Sequence, residues 1–271
     1  MPSATAVLAA AARAAHLLVD EPPHLVVDHD AARICSLFTP SPLDFHRQFP
    51  DEPVLAAARG SAVLRASFAR ELLSAGGVSQ LVLLGAGLDT FLAAAFPGPV
   101  WLVDRPEMLD WRRQVCQQAG VEDVGTPVAL ALPDPELLSS LVEAGLNSDL
   151  PTAVVALGLS MYLTEDQNRS LISSLALPAG SLLLMDVLVP NAEADAPGGA
   201  YVAAVSAQIG NREPWLSRFT PVELEQVLAA AGWTLRESRP EAEQGSAQFW
   251  RTQPHLHPMR LVELVVAVPG A

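Results

Sequence analysis

Two glycines and an acid carry the clearest chemical signal in this chain. The string Leu83-Leu84-Gly85-Ala86-Gly87-Leu88-Asp89-Thr90 follows a short apolar run, and Asp104 ends a second such run seventeen residues after Gly87. Glycine at such a place lets the backbone turn sharply and lets a ligand approach it closely. A carboxylate about 20 residues beyond a glycine loop can accept hydrogen bonds from ribose hydroxyls. The loop lacks the third glycine of the dinucleotide fingerprint, so a nucleoside suits it better than a pyrophosphate. On these residues alone an ordinary strand–turn–helix remains an alternative.

The elements that must position this loop are legible as alternating apolar runs and helical patterns, the signature of a parallel sheet with crossover helices. Runs at 80–84, 100–104, 127–132, 152–159 and 181–189 are nearly continuous in Val, Leu and Ala. Strands covered on both faces have that composition. Helices are expected at 108–119, 135–144 and 165–175, and Thr220-Pro221 marks the capped start of another that ends near Gly232. Closing strands are expected at 233–237 and 261–268, and 190–199, with two prolines and two glycines, is expected to be a loop. A helical region over residues 1–75, with an amphipathic helix from Ala6 to Leu18, precedes the first strand. It is positioned to cap the carboxyl edge of the sheet, where open α/β sheets bind ligands. The expected organisation is one domain over 1–271, with 1–75 as cap and 76–271 as core.

Composition narrows the partners. The formal net charge is −14, which disfavours a nucleic-acid backbone or an anionic membrane surface as the main partner. A small molecule or a protein fits better. All 16 basic residues are arginine, so lysine Schiff-base and lysine general-base chemistry are excluded. The two cysteines, Cys35 and Cys116, are too few for a disulfide framework or a cysteine-built metal site. The six histidines include no HExxH, and no metal is expected. Arg13 and His16 interrupt the apolar N-terminus, which reads as a helix and not as a targeting segment. With no long uncharged apolar stretch either, a cytoplasmic protein without a membrane span is expected.

An ordered series of strings adds a family resemblance. Gly77 to Thr90 resembles the first motif of the leucine carboxyl methyltransferase-like family, whose bacterial members are S-adenosylmethionine-dependent O-methyltransferases, several from natural-product pathways. Thr5-Ala6, Arg13-Ala14-x-His16 and Asp20-Glu21-Pro22-Pro23 resemble its N-terminal signature, and Val103-Asp104-x-Pro106 its second motif. Gly158-Leu159-x-Met161-Tyr162-Leu163, Pro178-x-Gly180-Ser181 and Trp215-Leu216-Ser217-x-Phe219-Thr220-Pro221 continue the series, which spans roughly residues 3–235. The resemblance implies a Rossmann-like class I methyltransferase fold: a mostly parallel central sheet with an antiparallel closing strand and an N-terminal helical cap. It also implies S-adenosyl-L-methionine as cofactor, with Gly85, Ala86, Gly87 and Asp104 holding it. Arg13 and Arg65 then occupy positions where basic side chains receive the methionine carboxylate.

The chain departs from the family at polar positions. Leu102 stands two residues before Asp104 where the family usually has glutamate, and Leu157 stands where it has glutamate before the Gly-Leu-x-Met-Tyr-Leu string. Ala131-Leu132 replaces an Asp-Leu whose carboxylate reaches the adenine amine. Leu132 and Leu157 are therefore expected as greasy walls of the cofactor pocket. Methyl transfer from a sulfonium mainly requires orientation in a dry pocket, so no acid–base pair need be visible. Tyr162, His16 and Tyr201 are the further candidates for pocket chemistry. The expected activity is O-methylation of a carboxyl or hydroxyl group on a small secondary metabolite, by a chain compatible with a homodimer. The alternative is an enzyme of the same fold that has lost the cofactor and cyclises, dehydrates or rearranges a natural-product intermediate. A silent binding subunit is a third reading.

Overall fold

The computed structural model describes residues 3–209 and 214–270. Four helices come first: α1 (Ala4–Val19), α2 (His29–Cys35), α3 (Pro42–Gln48) and α4 (Pro53–Ser74). Strands and helices then alternate as β1 (Gln80–Leu84), α5 (Phe91–Ala95), β2 (Val100–Asp104), α6 (Pro106–Ala119), β3 (Thr126–Ala129), α7 (Leu137–Glu143), β4 (Thr152–Ala156), α8 (Glu165–Ser173) and β5 (Leu182–Leu188). The chain continues through α9 (Ala196–Ile209), α10 (Pro221–Ala230), β6 (Trp233–Pro240), α11 (Ala247–Thr252) and β7 (Val262–Pro269).

The strands form one seven-stranded sheet in the order β3-β2-β1-β4-β5-β7-β6. Strands β1 to β5 pair in parallel, and β7 inserts antiparallel between β5 and β6. Every residue of β1, β4 and β5 is buried, as expected of strands covered on both faces. One face packs Val82, Trp101 and Val154 against Leu141 of α7, Ile172 of α8 and Leu228 of α10. The other packs Leu81, Leu83 and Leu102 against Phe68 and Ala69 of α4. Strand β3 is four residues long and stops at Ala129, short of the expected 132. It is an edge strand carrying Pro127, and proline, lacking an N–H, is confined to such edges.

Local signals explain the helix starts. Thr220 and Glu223 close a reciprocal capping box at α10, with Pro221 at the first position. Glu52 caps α4 by accepting the Leu55 N–H at 2.8 Å. The segment expected to be a loop through Gly199 instead enters α9 at Ala196. Asp195 Oδ1 accepts the Gly198 N–H at 2.8 Å and supplies the start that proline and glycine had masked.

The chain reverses direction of winding between β1 and β4, which places a crevice at the carboxyl ends of these strands. Helices α1, α3 and α4 all contribute walls there. No helix among the described residues is long and apolar enough to cross a membrane.

Candidate functional site

The crevice is a cavity of about 1420 Å³. Its floor is the row of loops leaving the sheet: Gly85–Asp89 after β1, Asp104–Arg105 after β2, Leu130 and Leu132 after β3, and Leu157–Leu159 after β4. The glycine loop needs its glycines, because Gly85 and Gly87 have φ of +64° and +48°. Left-handed backbone carries a steric cost for any residue with a Cβ. Gly85 and Ala86 both donate to the Val103 carbonyl, at 2.9 and 3.2 Å. Gly87 donates to Asp104 Oδ2 at 2.9 Å, and the Arg105 N–H donates to Asp104 Oδ1 at 2.8 Å. Asp104 lines the cavity, and each of its oxygens has a lone pair beyond these backbone bonds, which suits a ligand diol. Burial raises the Asp104 carboxyl above its usual value, only partly offset by the two backbone donors.

Arg112 anchors the loop from behind and was not singled out from the sequence. Its Nη1 donates to the carbonyls of Ala86, Gly87 and Asp89 at 3.3, 3.1 and 3.0 Å, and its Nε to Asp123 at 2.7 Å. It is buried, and its sequence signal is only an arginine pair in α6.

Arg13 and Arg65 both line the cavity, and both already hold carboxylates. Arg13 Nε donates to Asp28 at 2.8 Å and its Nη2 to the Leu88 carbonyl at 3.0 Å, tying α1 to the glycine loop. Burial lowers its affinity for a proton, but Asp28 and Asp89 outweigh this and hold it above the usual value. Arg65 Nη1 donates to Asp186 Oδ2 at 2.6 Å. Burial again opposes the charge and Asp186 again prevails, so Arg65 stays firmly cationic. Asp186, fully buried in the middle of β5, accepts the Gly158 N–H on its other oxygen at 2.7 Å.

The other expected site residues separate into two groups. Leu132, Leu157, Tyr162 and Tyr201 line the cavity, joined by Leu130, Trp215 and His46. Burial pushes the Tyr201 hydroxyl up to about 12, so it remains protonated, and its ring lies 6.2 Å from that of Trp215. His16 is corrected: it is fully buried and is not part of the cavity wall. The cavity meets α1 along residues 4–9 and at 12–13, and His16 lies one turn further on. Its Nε2 accepts the Leu25 N–H at 3.2 Å, which puts the proton on Nδ1, 2.9 Å from Asp20 Oδ2. Leu102 faces the interior of the sheet and is absent from the cavity wall.

Behind Arg65 lies a second group that sequence reasoning missed. Ser61, on the cavity wall, donates to Glu241 Oε2 at 2.7 Å. Glu241 is almost fully buried, and its Oε1 has no hydrogen-bond partner among the described residues. Burial, offset in part by Arg65 and Ser61, raises its carboxyl to about 7. Among the described residues no group of three or more His, Cys, Asp or Glu side chains is arranged to hold a metal ion.

The residue pattern of the family described as leucine carboxyl methyltransferase matches residues 6–176, more than half of the chain. The chain belongs to the leucine carboxyl methyltransferase family. As a member it is similar to curated proteins provisionally named as S-adenosyl-L-methionine-dependent methyltransferases. One from Mycolicibacterium gilvum is 37% identical over 138 residues, covering 46% of this chain and 51% of the relative. One from Mycobacterium tuberculosis H37Rv is 29% identical over 191 residues, covering 65% and 62%. The matched segments span 51% and 62% of the length of these two curated relatives, and 34% of a third from Mycobacterium sp. strain KMS. A solved protein from Thermobifida fusca, provisionally described as a methyltransferase, superposes with a TM-score of 0.62 at 19% identity, covering 97% of this leucine carboxyl methyltransferase family chain and 94% of the other. An O-methyltransferase family protein from Burkholderia thailandensis gives 0.50 at 18% identity, covering 84% and 63%. At those identities the structures speak for the fold alone: this is the Rossmann-like methyltransferase architecture, with its antiparallel strand at β7.

Proposed function

We propose that this protein is an S-adenosyl-L-methionine-dependent O-methyltransferase acting on a small secondary metabolite, in the cytoplasm, as one unit in which residues 1–75 cap the 76–271 core. The observation that carries this reading is the glycine loop bonded to Asp104 at the floor of a cavity of about 1420 Å³. That volume exceeds the ~300–1,000 Å³ of an ordinary small-molecule pocket, leaving room for a cofactor and an acceptor together. The family and the names of the relatives point the same way.

The residues fit the cofactor in parts. Gly85 and Gly87 leave the loop open to close approach, Asp104 offers carboxylate oxygens to a ribose, and Leu130, Leu132 and Leu157 offer an apolar slot for a purine. Arg13 retains N–H groups beyond those given to Asp28 and Leu88 and would receive the methionine carboxylate. Bound there, the cofactor would supply a methyl group on an electrophilic sulfonium. The chain's own task is to orient the acceptor oxygen in a water-poor cavity.

Isothermal titration with S-adenosylhomocysteine, after bound ligand has been stripped, tests the reading. Micromolar binding is expected. No binding at millimolar ligand would overturn it in favour of the second reading, a cofactor-independent cyclase or lyase. The apolar side chains of Leu132 and Leu157 in the cavity wall favour that second reading, since they leave a purine amine without a carboxylate there.

A further inference from the structure

Behind the cavity wall at the Arg65 end, buried carboxylates outnumber guanidinium groups, two to one, and the extra carboxylate is reached through a hydroxyl. Arg65 is committed to Asp186 at 2.6 Å, so that pair is neutral. Glu241 adds a carboxylate with no cation of its own, one oxygen bonded by Ser61 and the other unpartnered among the described residues. Ser61 is a residue of the cavity wall, and its hydroxyl bonds Glu241, which is not one. We infer that Ser61 and Glu241 form a proton-accepting pair, and that the acceptor substrate is therefore a neutral hydroxyl compound and not a carboxylate.

The inference rests on the methyltransferase reading and narrows it. An acceptor hydroxyl must lose a proton as its oxygen takes the methyl group, whereas a carboxylate has none to lose. The substrate O–H would donate to Ser61 Oγ, and Ser61 would pass its own proton to Glu241 Oε2. The oxygen keeps the electron pair that forms its new bond to carbon, the former methyl–sulfur pair stays on sulfur, and Glu241 ends as a carboxylic acid that later releases its proton to water. Glu241 is thus a positioning residue and Ser61 the group that touches substrate.

A carboxylate acceptor would bring a further negative charge to this end of the cavity. The cations among the described wall residues are committed elsewhere: Arg13 pairs with Asp28 and would give its remaining N–H groups to the methionine carboxylate, Arg65 pairs with Asp186, and Arg105 pairs with Glu107 at the exposed rim. Burial and the Arg59 charge hold the fourth basic wall residue, His46, down at about 4, so it is neutral. Elsewhere around Glu241 the charges are mutually paired. On β6 and β7, Arg239 meets Glu237 and Gln244, and Glu263 meets Arg260 and Ser238, while Glu243 beside it is exposed. Tyr201 stays protonated. The carboxyl of Glu241, raised by burial to about 7, is poised to exchange a proton near neutral pH.

The probes are 2-naphthol, a neutral hydroxyl compound, and 2-naphthoate, its anionic counterpart of similar size, titrated into protein saturated with S-adenosylhomocysteine. At about pH 8 the naphthol is expected to bind about tenfold more tightly, the equivalent of one pH unit of charge coupling. Naphthoate affinity should fall as pH rises through about 7, because Glu241 gains its charge there. In E241Q naphthoate binding should be pH-independent and stronger, a change that a merely structural role would not produce. S61A should lose affinity for naphthol with naphthoate unchanged, and it carries the test if E241Q does not fold. Naphthoate bound as tightly as naphthol, no pH dependence in the wild type, or no binding of either probe overturns the inference. Failure of S-adenosylhomocysteine to bind sinks the methyltransferase reading as well, whereas its binding with naphthoate preferred sinks only the proton-accepting pair.

Discussion

Two buried charge clusters built on the same helix, α4, differ in whether their charges balance. In the first, Arg59 donates to Asp20 through Nε and Nη2 at 3.0 and 3.1 Å, to the Pro50 carbonyl at 2.7 Å, and meets His46 Nδ1 at 3.3 Å. His16 shares the same carboxylate at 2.9 Å. One guanidinium faces one carboxylate there. Burial alone would raise the Asp20 carboxyl, but hydrogen bonds with His16 and Arg59 bring it below its usual value. In the second cluster one guanidinium, Arg65, faces two carboxylates, Asp186 and Glu241, beside the cavity. The first cluster is finished by the fold. The second has an unpaired carboxylate, and such perturbed groups in clefts mark places kept for chemistry at some cost in stability.

The largest effect should come from breaking the finished cluster. Arg59→Ala leaves Asp20 buried beside His16 with no guanidinium, and removing one partner of a buried ion pair costs about 3–5 kcal/mol. Urea denaturation should show a loss of unfolding free energy of that size. A loss under about 1 kcal/mol, the range of exposed pairs, would erase the contrast between the clusters.

Glu241→Gln should act in the opposite direction. The Glu241 carboxyl rises from its usual 4.5 to about 7 on folding, so its contribution to stability is full below pH 4.5 and is lost as pH rises through 7. Glutamine cannot ionise. The variant should therefore match the wild type at low pH and exceed it above pH 7, by on the order of 3 kcal/mol at 1.36 kcal/mol per unit. Paired denaturation curves across that range would measure the difference. A variant less stable than the wild type at pH 8 would mean that Glu241 is a satisfied structural group like Asp20.

Asp104→Ala separates ligand from fold more sharply. Relief of the buried Asp104 carboxylate offsets the loss of its bonds from the Gly87 and Arg105 N–H groups, so its removal should change stability by under about 1 kcal/mol. Loss of charge-assisted bonds to a ribose should weaken S-adenosylhomocysteine by ~1.5–3 kcal/mol, or about ten- to a hundredfold. Calorimetry and denaturation on the same sample test both halves, and a variant that loses stability instead of affinity would assign Asp104 to the fold.

What the sequence revealed follows the range of the interactions. The apolar runs of β1, β2 and β5 stand within a residue of their observed ends, because burial on both faces writes itself into consecutive residues. Gly85, Gly87 and Asp104 were legible because a strand–loop–helix is local. The run at 152–159 overshot β4, since Leu157–Leu159 are apolar for a cavity and not for the sheet. His16 lies outside the cavity although Arg13, three residues earlier on α1, lines it, because a helix turns its successive faces away from any one wall. Glu241 and Asp186 were not legible at all. Their partners Ser61 and Arg65 lie 180 and 121 residues away, and nothing in either neighbourhood signals a buried acid.

The smallest effect belongs to the glycine loop. A Cβ at Gly87 would meet Ala6 Cβ at 3.5 Å and the Gly85 carbonyl at 3.7 Å, ordinary contacts, so Gly87→Ala carries only the left-handed strain of φ +48°. That strain is about 1–2 kcal/mol. A Cβ at Gly85 would also press on Leu159 Cδ1 at 3.3 Å, a flexible tip of the cavity floor that can turn aside. Both variants should fold, with Gly85→Ala losing S-adenosylhomocysteine affinity relative to Gly87→Ala because the displaced Leu159 intrudes on the cavity. Equal affinities in the two variants would mean that the ligand lies nearer α1 and Ala6 than the β4 loop. The loop would then serve the cofactor alone, leaving the Arg65 end of the cavity to the acceptor.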